Sequence, residues 1–154
     1  MPQSTEAQIR PAQPTDAQRV RDLVLAAYAE WVPVIGREPM PMKADYERAV
    51  EEHVIDLLYA EGRMVGLIEM IPDDDHLYVE NVAVAPGYRG RGFGRLLMAH
   101  AEQVAARERL PEIRLRTNAL FARNIALYRM LGYGVSGEEP FMNGVTVHMN
   151  KNLR

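Results

Sequence analysis

The stretch that most constrains this 154-residue chain is Val84-Ala85-Pro86-Gly87-Tyr88-Arg89-Gly90-Arg91-Gly92-Phe93-Gly94-Arg95. Before it, Leu-Tyr-Val-Glu-Asn-Val-Ala-Val has the character of a strand. After it, Leu-Leu-Met-Ala-His-Ala-Glu-Gln-Val has helical spacing. The turn therefore joins the end of a strand to the start of a long helix. A helix start offers unpaired N–H groups and the positive pole of the helix dipole. Glycines let a bulky anion come close to the backbone, and arginines add charge-assisted hydrogen bonds to phosphate oxygens. Strand, glycine-rich turn and helix start together make a phosphate cradle. The net charge of -3 makes the arginines a local feature and argues against nucleic acid as the partner. The competing reading is a surface turn whose arginines are only solvated.

The rest of the chain supplies a sheet around that turn. Residues 1–6 read as a flexible tail and residues 7–154 as a single domain. Gln8-Ile9-Arg10 reads as a short first strand. Thr15-Asp16-Ala17-Gln18 reads as a capping box opening a helix, with Val20, Leu23, Val24, Ala27, Tyr28 and Trp31 at helical spacing. Three prolines between Val32 and Lys43 predict a loop, and a short helix is expected over 44–54. Residues 56–60 and 64–70 flank Glu61-Gly62-Arg63, a hairpin signal, and residues 77–84 form the third strand of the meander. A helix over 92–109, a strand over 112–117, a helix over 121–131 stopped by Gly132, and two closing strands complete the chain. The fold class is α/β: one mixed sheet with helices on its faces.

Composition narrows the chemistry. There is no cysteine, and the serines are Ser4 and Ser136, outside any Gly-x-Ser-x-Gly elbow. Covalent acyl-enzyme chemistry on Ser or Cys is therefore not expected. His53, His76, His100 and His148 lack metal-ligand spacing, Asp73-Asp74-Asp75-His76 reads as a solvated turn, and no metal is expected. No apolar run approaches the roughly 20 residues of a membrane span, and the N-terminus lacks signal-peptide features, so a cytoplasmic location is the expectation. A P-loop string is absent. A Rossmann fingerprint read from Gly90 fails at Arg95, and Thr117-Asn118 stands where its acidic residue would be.

The string that matches is Arg89-x-x-Gly92-x-Gly94. With it the chain resembles the GNAT family, the GCN5-related N-acetyltransferases, whose diphosphate signature is Gln/Arg-x-x-Gly-x-Gly/Ala. Asn81-Val82-Ala83-Val84-Ala85-Pro86 resembles the family's central strand, and Asn124-Ile125-Ala126-Leu127-Tyr128-Arg129-Met130-Leu131-Gly132-Tyr133 its second signature. Ile9-Arg10-Pro11-Ala12 followed by Asp16 is similar to the family's opening. The resemblance covers nearly the whole chain. It implies a mostly antiparallel sheet with helices on both faces, split between the central strand and its parallel neighbour.

The same resemblance implies acetyl-CoA as acyl donor. The diphosphate would meet the turn at Arg89, Gly90, Arg91, Gly92, Phe93, Gly94 and Arg95, and the pantetheine arm would pair with the central strand through Val82 and Val84, with Ala83 between them among the coenzyme contacts. A β-bulge near Asn81 would aim an N–H at the thioester oxygen. Asn118 and Asn124 complete the expected coenzyme contacts, with a helix-surface amide as the plain alternative for Asn124. Glu80 is the expected base and Glu69 the alternative. Tyr128 is the expected acid, or else a packed tyrosine.

The activity implied is direct acetyl transfer to a primary amine of an unidentified acceptor. The alternatives are a non-catalytic acyl-CoA-binding module and a nucleotide-binding α/β protein. Glu30, Glu38, Asp45, Glu47, Glu51 and Glu52 make the Trp31–Lys43 region and the helix after it acidic, which suits a cationic amine. Trp31, Met40 and Met42 divide between core and acceptor pocket. Acyl length and a homodimer, frequent in the family, stay open.

Overall fold

A computed structural model describes residues 7–153 of the chain, so the expected tail over 1–6 lies outside the described residues. The chain order is β1 (Gln8–Pro11), α1 (Ala17–Tyr28), α2 (Val32–Ile35), α3 (Tyr46–Glu52), β2 (Val54–Ala60), β3 (Arg63–Pro72), β4 (Leu77–Val84), α4 (Phe93–Arg107), β5 (Glu112–Asn118), α5 (Ala122–Met130), β6 (Gly134–Phe141) and β7 (Gly144–Asn152). The seven strands form one sheet in the order β1-β2-β3-β4-β5-β7-β6. Every neighbouring pair is antiparallel except β4 and β5.

The sheet buries both faces because its strands carry apolar residues on both. On one face, Leu58, Ile68, Met70, Leu77, Val79, Ile113 and Leu115 pack against Leu97, Ala101 and Val104 of α4 and Tyr128 of α5. On the other, Ile55, Leu57, Leu67 and Ala83 pack against Val20, Val24 and Ala27 of α1 and Tyr46 and Ala49 of α3. Leu57, Leu67 and Leu97 have no exposed surface, and truncating any of them to alanine costs about 2–5 kcal/mol.

Two local expectations are corrected. Helix α1 does not open on a Thr15 cap. Pro14, with its fixed φ, starts a 3-10 turn over Pro14–Asp16, and buried Asp16 accepts the Gln13 N–H at 2.8 Å. Asp16 also faces Arg10 at 3.3 Å and Arg19 at 3.5 Å, so it, not Thr15, holds the helix start. The proline-rich segment is not wholly a loop either. Pro33 sits in the first turn of the one-turn helix α2, where its missing N–H costs nothing, and Met40–Lys43 forms a 3-10 turn.

The decisive topological feature is the parallel pair. β4 and β5 are in register only at Leu77↔Ile113, Tyr78↔Arg114 and Val79↔Leu115. Beyond Val79 the two strands part. On the β3 side, Glu69 pairs with Asn81 and Met70 with Val79, so Glu80 is an extra residue, a β-bulge at the point of divergence. The bulge also switches the facing of β4: Val79 lies among the residues under α4, while Ala83 lies among those under α1.

Candidate active site

The split opens into a cleft of about 840 Å³. Its walls are β4 and β5, the ends of α1 and α3, the proline-rich segment and the start of α5. A polar chain ties these walls to the bulge. Tyr28 of α1 donates to Asn81 Oδ1 at 2.6 Å, Asn81 Nδ2 donates to the Tyr46 hydroxyl at 3.3 Å, and that hydroxyl donates to the Pro41 carbonyl at 2.7 Å. Asn81 is 3% exposed, so these bonds satisfy an amide that would otherwise be costly to bury. Burial, reinforced by neighbouring acidic groups, pushes the Tyr28 hydroxyl well above its ordinary pKa, and burial raises that of Tyr46 as well. Both remain neutral donors.

On β4 itself, the Ala85 N–H donates to the Val65 carbonyl on β3 at 2.8 Å. Successive N–H groups of an extended strand point to opposite edges, so the backbone groups of Val82 and Val84 face the split. Ala83 is turned the other way: its backbone is in register with Leu67 of β3 and its side chain is 3% exposed. Of the three residues expected to meet a pantetheine arm, two face the space it would occupy.

At the far end of β4 lies the glycine-arginine turn. Gly92 has φ +83° and caps α4. Its carbonyl accepts the Leu96 N–H at 3.0 Å, which leaves the N–H groups of Phe93, Gly94 and Arg95 without an intrahelical partner. A Cβ built at Gly90 or Gly92 would meet nothing within 4 Å, so the turn faces open space. Gly94 differs, since its Cβ would stand 3.2 Å from Leu127 Cδ2 and so its bareness serves the close packing of α4 on α5. The arginines also divide. Arg89 is turned inward, donating to the Ala27 carbonyl at 2.7 Å and pairing with Glu30 at 2.9 Å, while Glu30 also pairs with Arg123. Arg91 and Arg95 are exposed.

The titratable residues gather on the open sheet face. Glu80 reaches into the cleft from the bulge. Burial first, and then the Glu69 carboxylate, push its carboxyl above the usual range, while Arg116 and His53 pull it back. Glu69 does not face solvent as a strand-surface carboxylate would. Its side chain is 5% exposed and lies 2.6 Å from His53 Nδ1. Tyr128 lines the cleft from α5, and burial pushes its hydroxyl up to about 12. It therefore keeps its proton across the neutral range. Asn118, whose Oδ1 accepts the Leu120 N–H at 2.9 Å, and Asn124 also line the cleft. Trp31, Met40 and Met42 do not form one cluster. Trp31 stacks on Phe121 with ring centres 4.5 Å apart, and Met40 lies half exposed on the cleft rim.

Sequence reasoning missed His53. It sits at the C-terminal cap of α3, sixteen residues from Glu69, and no spacing rule links a helix end to the second strand after it. The only signal was that a glutamate lies between apolar Ile68 and Met70.

The strand that parts from its parallel neighbour at a bulge ends in a glycine-rich helix start, so an open strand edge and free helix N–H groups border the same cleft. The model of the acetyltransferase (GNAT) family matches residues 18–133, and the chain belongs to that family. It is 36% identical over 80 residues to streptothricin acetyltransferase of Streptomyces lavendulae, a match covering 51% of this chain and 42% of that protein. It is 31% identical over 85 residues to N-acetyltransferase family 8 member 3 of Rattus norvegicus, covering 51% and 37%. The matched stretch thus spans less than half the length of either relative. In fold, the chain is similar to the PaiA N-acetyltransferase of Thermoplasma acidophilum in complex with coenzyme A, with a TM-score of 0.82, 16% identity, and coverage of 96% of this chain and 99% of that one. It is also similar to an aminoglycoside 6'-N-acetyltransferase complexed with coenzyme A, with a TM-score of 0.77, 18% identity, and coverage of 96% and 97%. Among the described residues no helix is long and apolar enough to cross a membrane.

Proposed function

We propose that the chain is an acetyl-CoA-dependent N-acetyltransferase that acetylates a primary amine in one direct step. The observation that carries this reading is the divergence of β4 from β5 at the Glu80 bulge, which opens a cleft between an anion-binding turn and a cluster of acid–base side chains. The activities of the two relatives named above, and the coenzyme A complexes of the two fold neighbours, support the same donor.

The residues fit the donor. The N–H groups from Arg91 to Arg95 would hold the diphosphate, helped by Arg91 and Arg95, while Arg89 braces the turn from inside. Val82 and Val84 would pair with the pantetheine arm. Acetyl-CoA supplies an activated acetyl thioester. The nitrogen forms a bond to the acetyl carbon as the carbon–sulfur bond breaks. Two protons leave the ammonium: Glu80 takes the first, so that the nitrogen can attack, and the second offsets the proton that Tyr128 gives to the departing sulfur. A carboxyl raised above its usual range is the better base for this task, and a neutral phenol beside the sulfur is a ready acid. No step is routed through a metal. A cytoplasmic location belongs to the same proposal, since the donor must be at hand.

Thermal unfolding with coenzyme A tests the reading. At a hundred times Kd a ligand of the native state adds about 2.7 kcal/mol. For a chain of this size that is a rise of about 5–10 °C in Tm. NAD or ATP raising Tm in place of coenzyme A overturns the proposal in favour of a nucleotide-binding protein.

A further inference from the structure

We propose that His53, held in place by Glu69, accepts the proton that leaves the acceptor amine and carries it out of the cleft. The inference rests on the transferase reading and assigns the residue that completes its proton path.

The geometry begins with Glu69. Its side chain is 5% exposed, on β3 between fully buried Ile68 and Met70. A carboxylate so placed needs a strong partner. The partner at hand is His53 Nδ1 at 2.6 Å. A carboxylate only accepts, so the imidazole carries its hydrogen on Nδ1 and Nε2 is left with its lone pair. The backbone of His53 is anchored as well, its N–H donating to the Ala49 carbonyl at 2.9 Å. The ring side chain is 29% exposed and lines the cleft, as Glu80 does. Orientation by a buried carboxylate with the second nitrogen free is how a base is held ready.

Charged groups face the ring from several elements. Glu69 on β3 touches it and Glu80 on β4 faces the same cleft. Glu52 and Arg48 of α3 pair at 2.9 Å, Glu139 on β6 pairs with His148 at 2.6 Å, and Arg116 on β5, Arg37, Lys43 and Asp45 line the same cleft. The Glu69 carboxylate is engaged by Nδ1, so Nε2 offers the cleft a free lone pair that can take a proton. Glu80 takes the proton from the amine so that the nitrogen can attack. The proton then passes, directly or through one water, to His53 Nε2, and from the exposed edge of the ring to solvent. One N–H bond of the ammonium breaks, one N–H bond forms on Nε2, and the buried Glu69 carboxylate balances the imidazolium. Glu69 is the positioning residue.

The test is pH-dependent turnover with acetyl-CoA and an amine that the wild-type protein acetylates, compared with His53→Gln. The variant is expected to lose about 10²-fold in kcat/KM for the amine at pH 7, to keep its KM for acetyl-CoA, to change the pH dependence of turnover, and to regain part of the rate with added imidazole. Glu69→Gln keeps an acceptor for Nδ1 but removes the charge, and should fall less than His53→Gln. Ring ¹⁵N NMR of the wild-type protein should show the Nδ1–H tautomer in the neutral form, which settles the geometry even where His53→Gln does not fold. A folded His53→Gln with the wild-type rate and pH profile overturns the proposal, and so does an Nε2–H tautomer. Wild-type protein that acetylates none of the amines overturns the transferase reading itself, an outcome distinct from a defect confined to the variants.

Discussion

Gly92→Asp separates the stability of the glycine turn from its proposed binding role. Gly92 has φ +83°, and a Cβ added there meets no atom of the protein within 4 Å. The cost to the fold is backbone strain, about 1–2 kcal/mol for an L-residue in the left-handed region. An acidic residue at the N-terminus of α4 recovers about 0.3–1 kcal/mol from the helix dipole. The net loss is about 1 kcal/mol, or about 2–4 °C in Tm. Binding suffers far more. A carboxylate about 4 Å from one diphosphate charge costs about 4 kcal/mol at the effective dielectric of a protein surface. That corresponds to about a thousandfold weaker binding of coenzyme A. Calorimetric titration, paired with a thermal melt, measures both quantities. Gly92→Ala carries the same strain without the charge and should lose much less affinity. A folded Gly92→Asp that binds coenzyme A as the wild type does would show that the diphosphate is held elsewhere.

Three further outcomes follow from the geometry. Glu80→Gln should bind acetyl-CoA normally and turn over slowly below the amine's pKa, recovering as pH rises; a wild-type profile would take the base role away from Glu80. Because the folded-state carboxyl of Glu80 titrates above its unfolded value, its ionisation weakens the fold as pH rises through that range, so Glu80→Gln should hold or raise Tm at neutral pH, and a clear fall would refute the reasoning. Tyr128→Phe should lower kcat by a factor near the lower end of the general-acid range, about 10²-fold or less, with unchanged acetyl-CoA affinity. The fall should be uniform between pH 6 and 9 because the phenol stays protonated up to about 12, and collapse of coenzyme affinity instead would make Tyr128 a binding residue. For Asp16, burial works to raise the pKa, but the Gln13 N–H and then Arg10 outweigh it and hold the carboxyl below its usual value. The stability Asp16 contributes is present above about pH 4 and is lost as pH falls through the folded-state pKa, so Asp16→Asn should cost about 1–3 kcal/mol at pH 7 by urea unfolding and progressively less in acid.

What the sequence made legible was local. The β2–β3–β4 meander, the long helix after the glycine turn and the closing strands follow from alternation, helical spacing and turn residues, and each appears close to its expected bounds. The glycine turn could be placed because strand, turn and helix are contiguous in the chain. What remained hidden depends on contacts between distant segments. Arg89 belongs to the signature string, but its inward bond to Ala27 and Glu30 crosses some sixty residues, and no local pattern distinguishes it from Arg91 or Arg95. Glu69 and His53 meet only because α3 ends where β3 passes beneath it. Thr15-x-x-Gln18 has the letters of a capping box, yet Pro14 and the pull of Arg10 on Asp16 start the helix differently. The bulge, expected near Asn81 and found at Glu80, followed from the family resemblance, since one extra residue between two apolar strands leaves little trace in periodicity.

The central claim is that this cleft moves an acetyl group from coenzyme A to an amine. Its most direct test is incubation of the protein with acetyl-CoA and a panel of primary amines, spanning small amines, amino acids, cationic antibiotics and peptide N-termini. Free thiol and acetylated product are measured together. The predicted result is thiol release that depends on one class of amine, matched mole for mole by an N-acetyl product and abolished by Gly92→Asp. Tight binding of acetyl-CoA with no amine-dependent release anywhere in the panel would contradict the account and leave an acyl-CoA-binding module in its place.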